Sequence, residues 1–396
     1  MKENKEKSLK SRWMSIVNCQ LSILFLSILS LVIVIASIHR YILGLDHIKN
    51  FLIFKTSFFN LINYHDLYGS QSYQGIDLDY YKYSPVFALI FSPIAAMPVI
   101  LGVIIWNLIN SLLLFFAIKS LPFNNTKKAI IFWLVFIEML TSIQNCQSNA
   151  LIAALMIFTF TAFENRNLLF AAFCIVLSTY IKLFGIVAII MFLFYPGRIR
   201  FILYTVMWSA ILFFLPLLTI SFEQLIFLYK SWFALLANDQ SISWGFSVMG
   251  ILKSWFGIET NKLYIQLIGA IILCLPMLNI KSWSKPIFRI LYLASIMIWV
   301  IIFNHKAESP TFIIALCGMA IWFVSEDIKP FSLILIIFAL MLTSLSPTDI
   351  FPKYIRVNYV IPYSLKALPA LLIWIVIQYK LFLFSFQLNS KQNNAI

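Results

Sequence analysis

The chain holds 396 residues, of which 62% are hydrophobic and only 11% charged, a balance that a water-exposed surface cannot accommodate. Its formal net charge of +14 would suggest nucleic acid in a soluble protein. Here many of the cations fall in short loops, where they orient spans and meet membrane lipid headgroups, so no nucleic-acid partner is expected.

Short alternating segments of the β-barrel kind are missing, which leaves an all-α, polytopic membrane bundle. Residues 1–15 carry Lys2, Lys5, Lys7, Lys10 and Arg12 and read as a cytoplasmic segment. The apolar stretch after them lacks a small-residue cleavage site, so it reads as an uncleaved first span over 16–38. A polar, aromatic stretch, 39–83, then opens a first outer loop that extends to residue 99. Within it, 50–63 places Phe51, Phe54, Phe58, Leu61 and Ile62 on one helical face and Thr56, Asn60 and Asn63 on the other. That pattern suits a helix lying in the outer interface. Ser84–Pro98 is apolar but about fifteen residues long, with Pro85, Pro93 and Pro98, short of the ~20 needed to cross. Leaving it on the outer surface keeps most of the 29 Lys and Arg inside; making it cross reverses that bias.

Further spans follow near 100–120, 127–143, 149–164, 167–181, 183–196, 200–219, 262–279, 287–303, 310–324, 331–346 and 366–384. The region 167–196 reads as two helices, because a single one would put Lys182 at its centre at a cost of ~2.5–3.5 kcal/mol. The expectation is about twelve spans forming one domain over 16–384, with both termini cytoplasmic and a short polar tail, 385–396. The five cysteines (Cys19, Cys146, Cys174, Cys274 and Cys317) are scattered, without the spacing of a metal site or a disulfide framework.

On this count the unusual polar clusters share the outer side. The first loop holds Asp46, His47, Lys49, Asn50, His65, Asp66, Asp77, Asp79 and Lys82. A second loop reads Gln144-Asn145-Cys146-Gln147-Ser148-Asn149, with Glu138 one or two turns below it. Lys182 sits in a third turn, Asn304-His305-Lys306-Ala307-Glu308-Ser309-Pro310 joins two apolar runs, and the loop from Lys353 to Lys366 adds Arg356. Amides at helix ends commonly cap backbone or bond across helices, and a single Lys can snorkel. An imidazole, an ammonium and a carboxylate in one turn between apolar helices point instead to chemistry. The cations suit a phosphate, and a carboxylate suits proton removal from a hydroxyl. Asp77-Leu78-Asp79 resembles a DxD metal site, but such transferases need a nucleotide-binding α/β domain, and the chain has 11 glycines and no Gly-rich strand–helix turn. No metal ligands are assigned; a divalent ion stays open, since the acids are not spaced as a cage.

The layout resembles the GT-C superfamily of membrane glycosyltransferases, and more narrowly glycosyltransferase family 87, of the polyprenyl-phosphate-mannose-dependent mannosyltransferase type. The matching stretches are Asp66-Leu67-Tyr68, Tyr81-Lys82-Tyr83-Ser84-Pro85-Val86-Phe87-Ala88-Leu89, Pro93-Ile94-Ala95-Ala96-Met97-Pro98 and Trp106-Asn107-Leu108-Ile109-Asn110. The family's Gly-Gln-x-Asn loop corresponds to Cys146-Gln147-Ser148-Asn149, and its following Lys to Lys182. The resemblance implies inverting transfer of a hexose, mannose foremost, from a polyprenyl-phosphate donor to a lipid or glycan acceptor. It places the site at the outer face of a bacterial inner membrane and makes the Pro-flanked segment a surface helix. The family's catalytic Asp falls near residue 50, where this chain has Asn50, an amide that cannot act as a base. Asp46 would share a helical face with that position and is the expected base, with Glu308 as its rival. Lys182, His305, Lys306 and Arg356 are the expected holders of donor phosphate; Gln147, Asn149, Tyr81 and Lys82 would shape the sugar and acceptor site. A saccharide transporter or flippase, and a non-catalytic scaffold, are the competing readings.

Overall fold

The computed structural model describes residues 24–238, 243–259 and 261–393. The basic N-terminal segment, the start of the first expected span and the last three residues of the tail lie outside them. The helices, in chain order, are α1 (Leu24–Ile42) and α2 (Lys49–Ile62), then α3 (Pro85–Ile90), α4 (Ser92–Ala95), α5 (Val99–Ser120), α6 (Asn125–Gln144), α7 (Asn149–Glu164) and α8 (Leu168–Ile181). A 3-10 helix, Leu183–Phe194, precedes α9 (Arg198–Phe214), α10 (Phe222–Asn238), α11 (Val248–Phe256), α12 (Lys262–Cys274), α13 (Pro286–Ile302), α14 (Phe312–Ser325) and α15 (Pro330–Ala339). A single turn, α16 (Lys353–Ile355), and a long last helix, α17 (Leu368–Asn393), complete the chain. The all-α expectation needs one amendment: β1 (Gln71–Tyr73) and β2 (Ile76–Leu78) pair antiparallel across Gln74 and Gly75. Both turn residues have positive φ, 48° and 81°, which matches the right-handed twist of a two-residue hairpin.

Among the described residues four apolar helices are long enough to cross a membrane: Leu24–Ile42, Val99–Ser120, Arg198–Leu218 and Leu365–Phe384. The other expected spans are helical too; α6 is as long (20 residues) but carries Lys127, Lys128 and Glu138, and the rest are shorter, so the described residues establish an integral membrane bundle rather than a count of twelve. α7 and α14 are buried on nearly every side, the mark of interior helices. α13 lies against α14, and α7 between α5 and α8. Gly318 makes the first of these contacts possible, since a Cβ there would come within 2.6 Å of the Ala294 carbonyl oxygen. In α1 and α9 only 17% of the most apolar window is buried, so their outward faces are left to lipid.

The region 167–196 folds as two helical arms. Gly185 sits against Ser178, and Gly197 against Leu168, so α8 and the 3-10 helix run antiparallel with Lys182 at the apex. At 1.5 and 2.0 Å rise per residue the two arms span roughly 21 and 24 Å. Tighter winding thus lets the shorter arm match the longer.

Ser84–Pro98 breaks at Phe91 into α3 and α4, with Pro93 in the first turn of α4, and neither piece approaches the length of a span. Ser84 caps α3 by accepting from Phe87 N, with Pro85 at the first helical position. Beneath them lies α2, packed against α3, α4 and the hairpin. Its apolar face departs from the expected one at Ile62, which is exposed; Lys55 is buried and donates to the Ala95 and Met97 carbonyls at the end of α4. Phe54 joins the layers through edge contacts with Tyr83, Phe87, Phe91 and Trp106, at centroid separations of 4.9–5.7 Å.

Candidate active site

Four chain segments meet at one end of the bundle. The loop after α6 turns back at Cys146, which has φ 51° and whose carbonyl accepts from Trp106 Nε1 at 2.9 Å. That turn aims Gln147 and Asn149, both buried, at the facing segments. Gln147 Nε2 donates to Glu308 Oε2 at 3.0 Å. Asn149 Nδ2 donates to Gln147 Oε1 and to the Pro310 carbonyl. Lys182 Nζ, at the apex of the α8 arm, donates to Asn149 Oδ1 at 2.8 Å. The result is a line Glu308–Gln147–Asn149–Lys182 in which two amides hold a carboxylate and an ammonium in fixed places. Among the described salt bridges neither charge is paired, so each can still act on a ligand.

The turn bearing Glu308 is gripped on several sides. Phe246 N donates to the Ala307 carbonyl at 2.9 Å, and Asn304 Oδ1 accepts from Lys306 N at 3.0 Å. Gly245, with φ 55°, lies so close that a Cβ would meet His305 O at 2.8 Å and Ala307 N and O at 2.9 Å; no other residue fits. Thr311 Oγ1 and N both donate to the Glu308 carbonyl. Glu308 itself is exposed, so its carboxylate is steered by Gln147 yet open to solvent. His305 and Lys306 share this turn and are half-buried.

Electrostatics sharpen the contrast between the ends of the line. Lys182 lies in the turn outside both helical arms. Burial pushes its ammonium down to about 8, Glu308 opposing the drop and Lys82 adding to it. Its Nζ also lies 4.9 Å from the Phe184 ring centroid. The Tyr83 phenol, beside Ser148 and within the field of Glu308, is pushed up to about 12 by burial, so it stays protonated and can donate. Neither Tyr83 nor Ser148 is recognisable as a site residue from its type alone.

The remaining expected residues lie differently. Asn50 spends its amide on the Asn145 carbonyl at 2.9 Å, tying α2 to the amide loop. Asp46 stands on a 3-10 turn (Leu45–Ile48), its side chain 69% exposed and ion-paired to Lys49 at 3.1 Å; it is not part of the line. Tyr81 is fully buried and donates its hydroxyl to the Ser84 carbonyl at 2.8 Å, which leaves no face for a sugar. Lys82 has an exposed side chain, and its carbonyl accepts from Trp232 Nε1 at 3.1 Å. Arg356 Nη1 donates to the Pro347 and Thr348 carbonyls at 3.2 and 2.9 Å, closing the end of its neighbouring helix rather than facing the line. Asp77 and Asp79 are exposed, at and just beyond the second hairpin strand. Among the described residues no three His, Cys, Asp or Glu side chains converge as metal ligands.

Two features escape a reading by residue type. α10 lies over the first loop through Trp232 and through Ser231, whose hydroxyl reaches Asp66 at 3.0 Å. Lys366 and Glu138 form a buried ion pair at 2.7 Å; a lone carboxylate inside an apolar run was the available signal, since such a group demands a partner.

The family model for glycosyltransferase family 87 matches residues 81–342, about two thirds of the 396 residues. No curated protein matches the chain.

Proposed function

The chain belongs to glycosyltransferase family 87, and from that premise we propose that it moves a hexose, mannose foremost, from a polyprenyl-phosphate donor to a hydroxyl of a lipid or glycan acceptor. That it is a membrane-embedded glycosyltransferase follows from the family and the apolar helices; the transporter and scaffold readings give way to a transferase. The donor, the sugar and the stereochemistry are our reading of the site.

The observation that carries it is the line Glu308–Gln147–Asn149–Lys182, all of it within the matched residues. A lipid-linked donor would bring its phosphate to the end of an apolar bundle, where Lys182 supplies a positive charge. Glu308 is the base. It takes the proton of the acceptor hydroxyl as that oxygen bonds to the anomeric carbon. The bond from that carbon to the phosphate oxygen breaks, and polyprenyl phosphate leaves with the electron pair, its charge met by Lys182. One displacement inverts the anomeric centre. Asp46, solvent-exposed beside Lys49, gives way to Glu308 in this role. Asn50 serves structure through Asn145. His305 and Lys306 flank the acceptor side, and the Tyr83 hydroxyl is a donor to the sugar or phosphate. We place this end of the bundle at the outer face of a bacterial inner membrane, with the termini in the cytoplasm.

The test is transfer by the purified protein in liposomes, offered polyprenyl-phosphate mannose or a nucleotide sugar with a hydroxyl acceptor. Product from the lipid-linked donor alone, with inverted anomeric configuration, is expected. Product from the nucleotide sugar, or retained configuration, overturns the mechanism.

A further inference from the structure

We infer that the buried Glu138–Lys366 pair is a positioning device for Glu308, acting through the Ser309 hydroxyl; this rests on Glu308 being the base. Both side chains are sealed from solvent, at 0% and 1% exposure. Sealing two ions away costs several kcal/mol each, and apolar replacements of such pairs are frequently neutral or stabilising. Stability alone is therefore a poor reason for the pair.

Its geometry supplies a better one. The three N–H bonds of an ammonium are all committed here: Lys366 Nζ donates to Glu138 Oε1 at 2.7 Å, to the Thr343 carbonyl at 2.7 Å and to Ser309 Oγ at 2.9 Å. Thr343 Oγ1 donates in return to the Lys366 carbonyl at 3.0 Å, so Lys366 is anchored to residue 343 by backbone and side chain together. Glu138 comes from α6 and holds the ammonium from the other side. The remaining bond, to Ser309, reaches the turn between α13 and α14, and Ser309 is the residue next to Glu308. Gln147 fixes the carboxylate itself and Asn149 the Pro310 carbonyl. Lys366 adds a restraint from inside the bundle. The pair thus stiffens the backbone from which the base projects, and its members are positioning residues that touch no substrate.

The discriminating variant is Ser309→Ala, which leaves the ion pair whole and removes its hydrogen bond to the turn. Its kcat should fall about 10- to 100-fold, the scale of a misplaced reacting group, with donor KM within about twofold. The acid limb of the pH–rate profile should move, and the thermal unfolding midpoint should fall modestly, because one buried N–H of the ammonium loses its partner. Ser309→Thr, which keeps a hydroxyl, should recover most of the rate. Wild-type kcat and pH profile in Ser309→Ala would overturn the inference. So would equal loss in Ser309→Thr. Lys366→Met is a secondary probe, and if it does not fold the serine variants still decide. Glu308→Gln is run alongside: full activity there defeats the base assignment itself, whereas an inactive Glu308→Gln beside a wild-type Ser309→Ala defeats the positioning role alone.

Discussion

Glu308→Gln separates chemistry from architecture at this site. The amide keeps an oxygen that can accept from Gln147 Nε2, now at 3.0 Å from Oε2, so the turn keeps its shape. A hydrogen bond to a charged group is worth about 1.5–3 kcal/mol and a neutral one about 0.5–1.5 kcal/mol, so folding should lose only about 1–1.5 kcal/mol. A general base contributes 10²–10⁴-fold, or about 2.7–5.4 kcal/mol of barrier at 1.36 kcal/mol per tenfold. Rate should therefore collapse while stability barely changes. Asp46→Asn is the comparator: its side chain is 69% exposed, and a surface pair of that kind is worth about 0–1 kcal/mol, so its rate should stay within about twofold of wild type. The assay is initial-rate sugar transfer in liposomes beside thermal unfolding of the same preparations. A Glu308→Gln enzyme within about threefold of wild type, or an Asp46→Asn enzyme slower than it, would refute the reasoning and return the base to the first loop.

Further outcomes follow from the geometry. Lys182 is lowered to about 8, so it is charged below that pH and neutral above it. Donor KM should rise as pH climbs through about 8, and Lys182→Arg, which stays charged, should abolish that rise; a flat wild-type KM between about pH 7 and about pH 9.5 would count against a phosphate role. The same shift means the unfolded chain holds a proton that the folded one lacks between about 8 and 10.5, so this group's contribution to stability rises with pH across that window. Gly245→Ala should cost about 1–3 kcal/mol by forcing a side chain at φ 55° against His305 and Ala307. Thermal unfolding and transfer rate should both drop, and an unchanged midpoint would show that the turn yields freely.

Much of this architecture is written locally, in where apolar runs stop. The amide loop, Lys182 and the 304–310 turn fall at helix ends that the runs themselves define, and the shape of the bundle then brings them together. The break at Lys182 is legible because a charge in mid-span is expensive. α10 is less so: Glu223 and Lys230 interrupt its apolar pattern, and its docking on the Lys82 carbonyl through Trp232 is purely tertiary. Lys55 of α2 is buried because α4 presents two carbonyls to it, partners that its own sequence neighbourhood does not announce. Tyr81 and Arg356 have the chemistry of site residues, but backbone carbonyls that their own neighbourhoods supply claim them first. Choosing Glu308 over Asp46 required knowing which carboxylate Gln147 faces.

The Glu138–Lys366 contact joins positions 228 residues apart, and that separation orders the birth of the protein. At a ribosomal pace of about 5–20 residues per second, Glu138 reaches the bilayer roughly 10–50 seconds before its partner has been synthesised. Throughout that interval α6 carries an acidic group with no cation to meet it, so it must wait at the translocon or against earlier helices. Only the arrival of the final helix closes the bundle, which makes a chain truncated before residue 366 a natural substrate for membrane quality control.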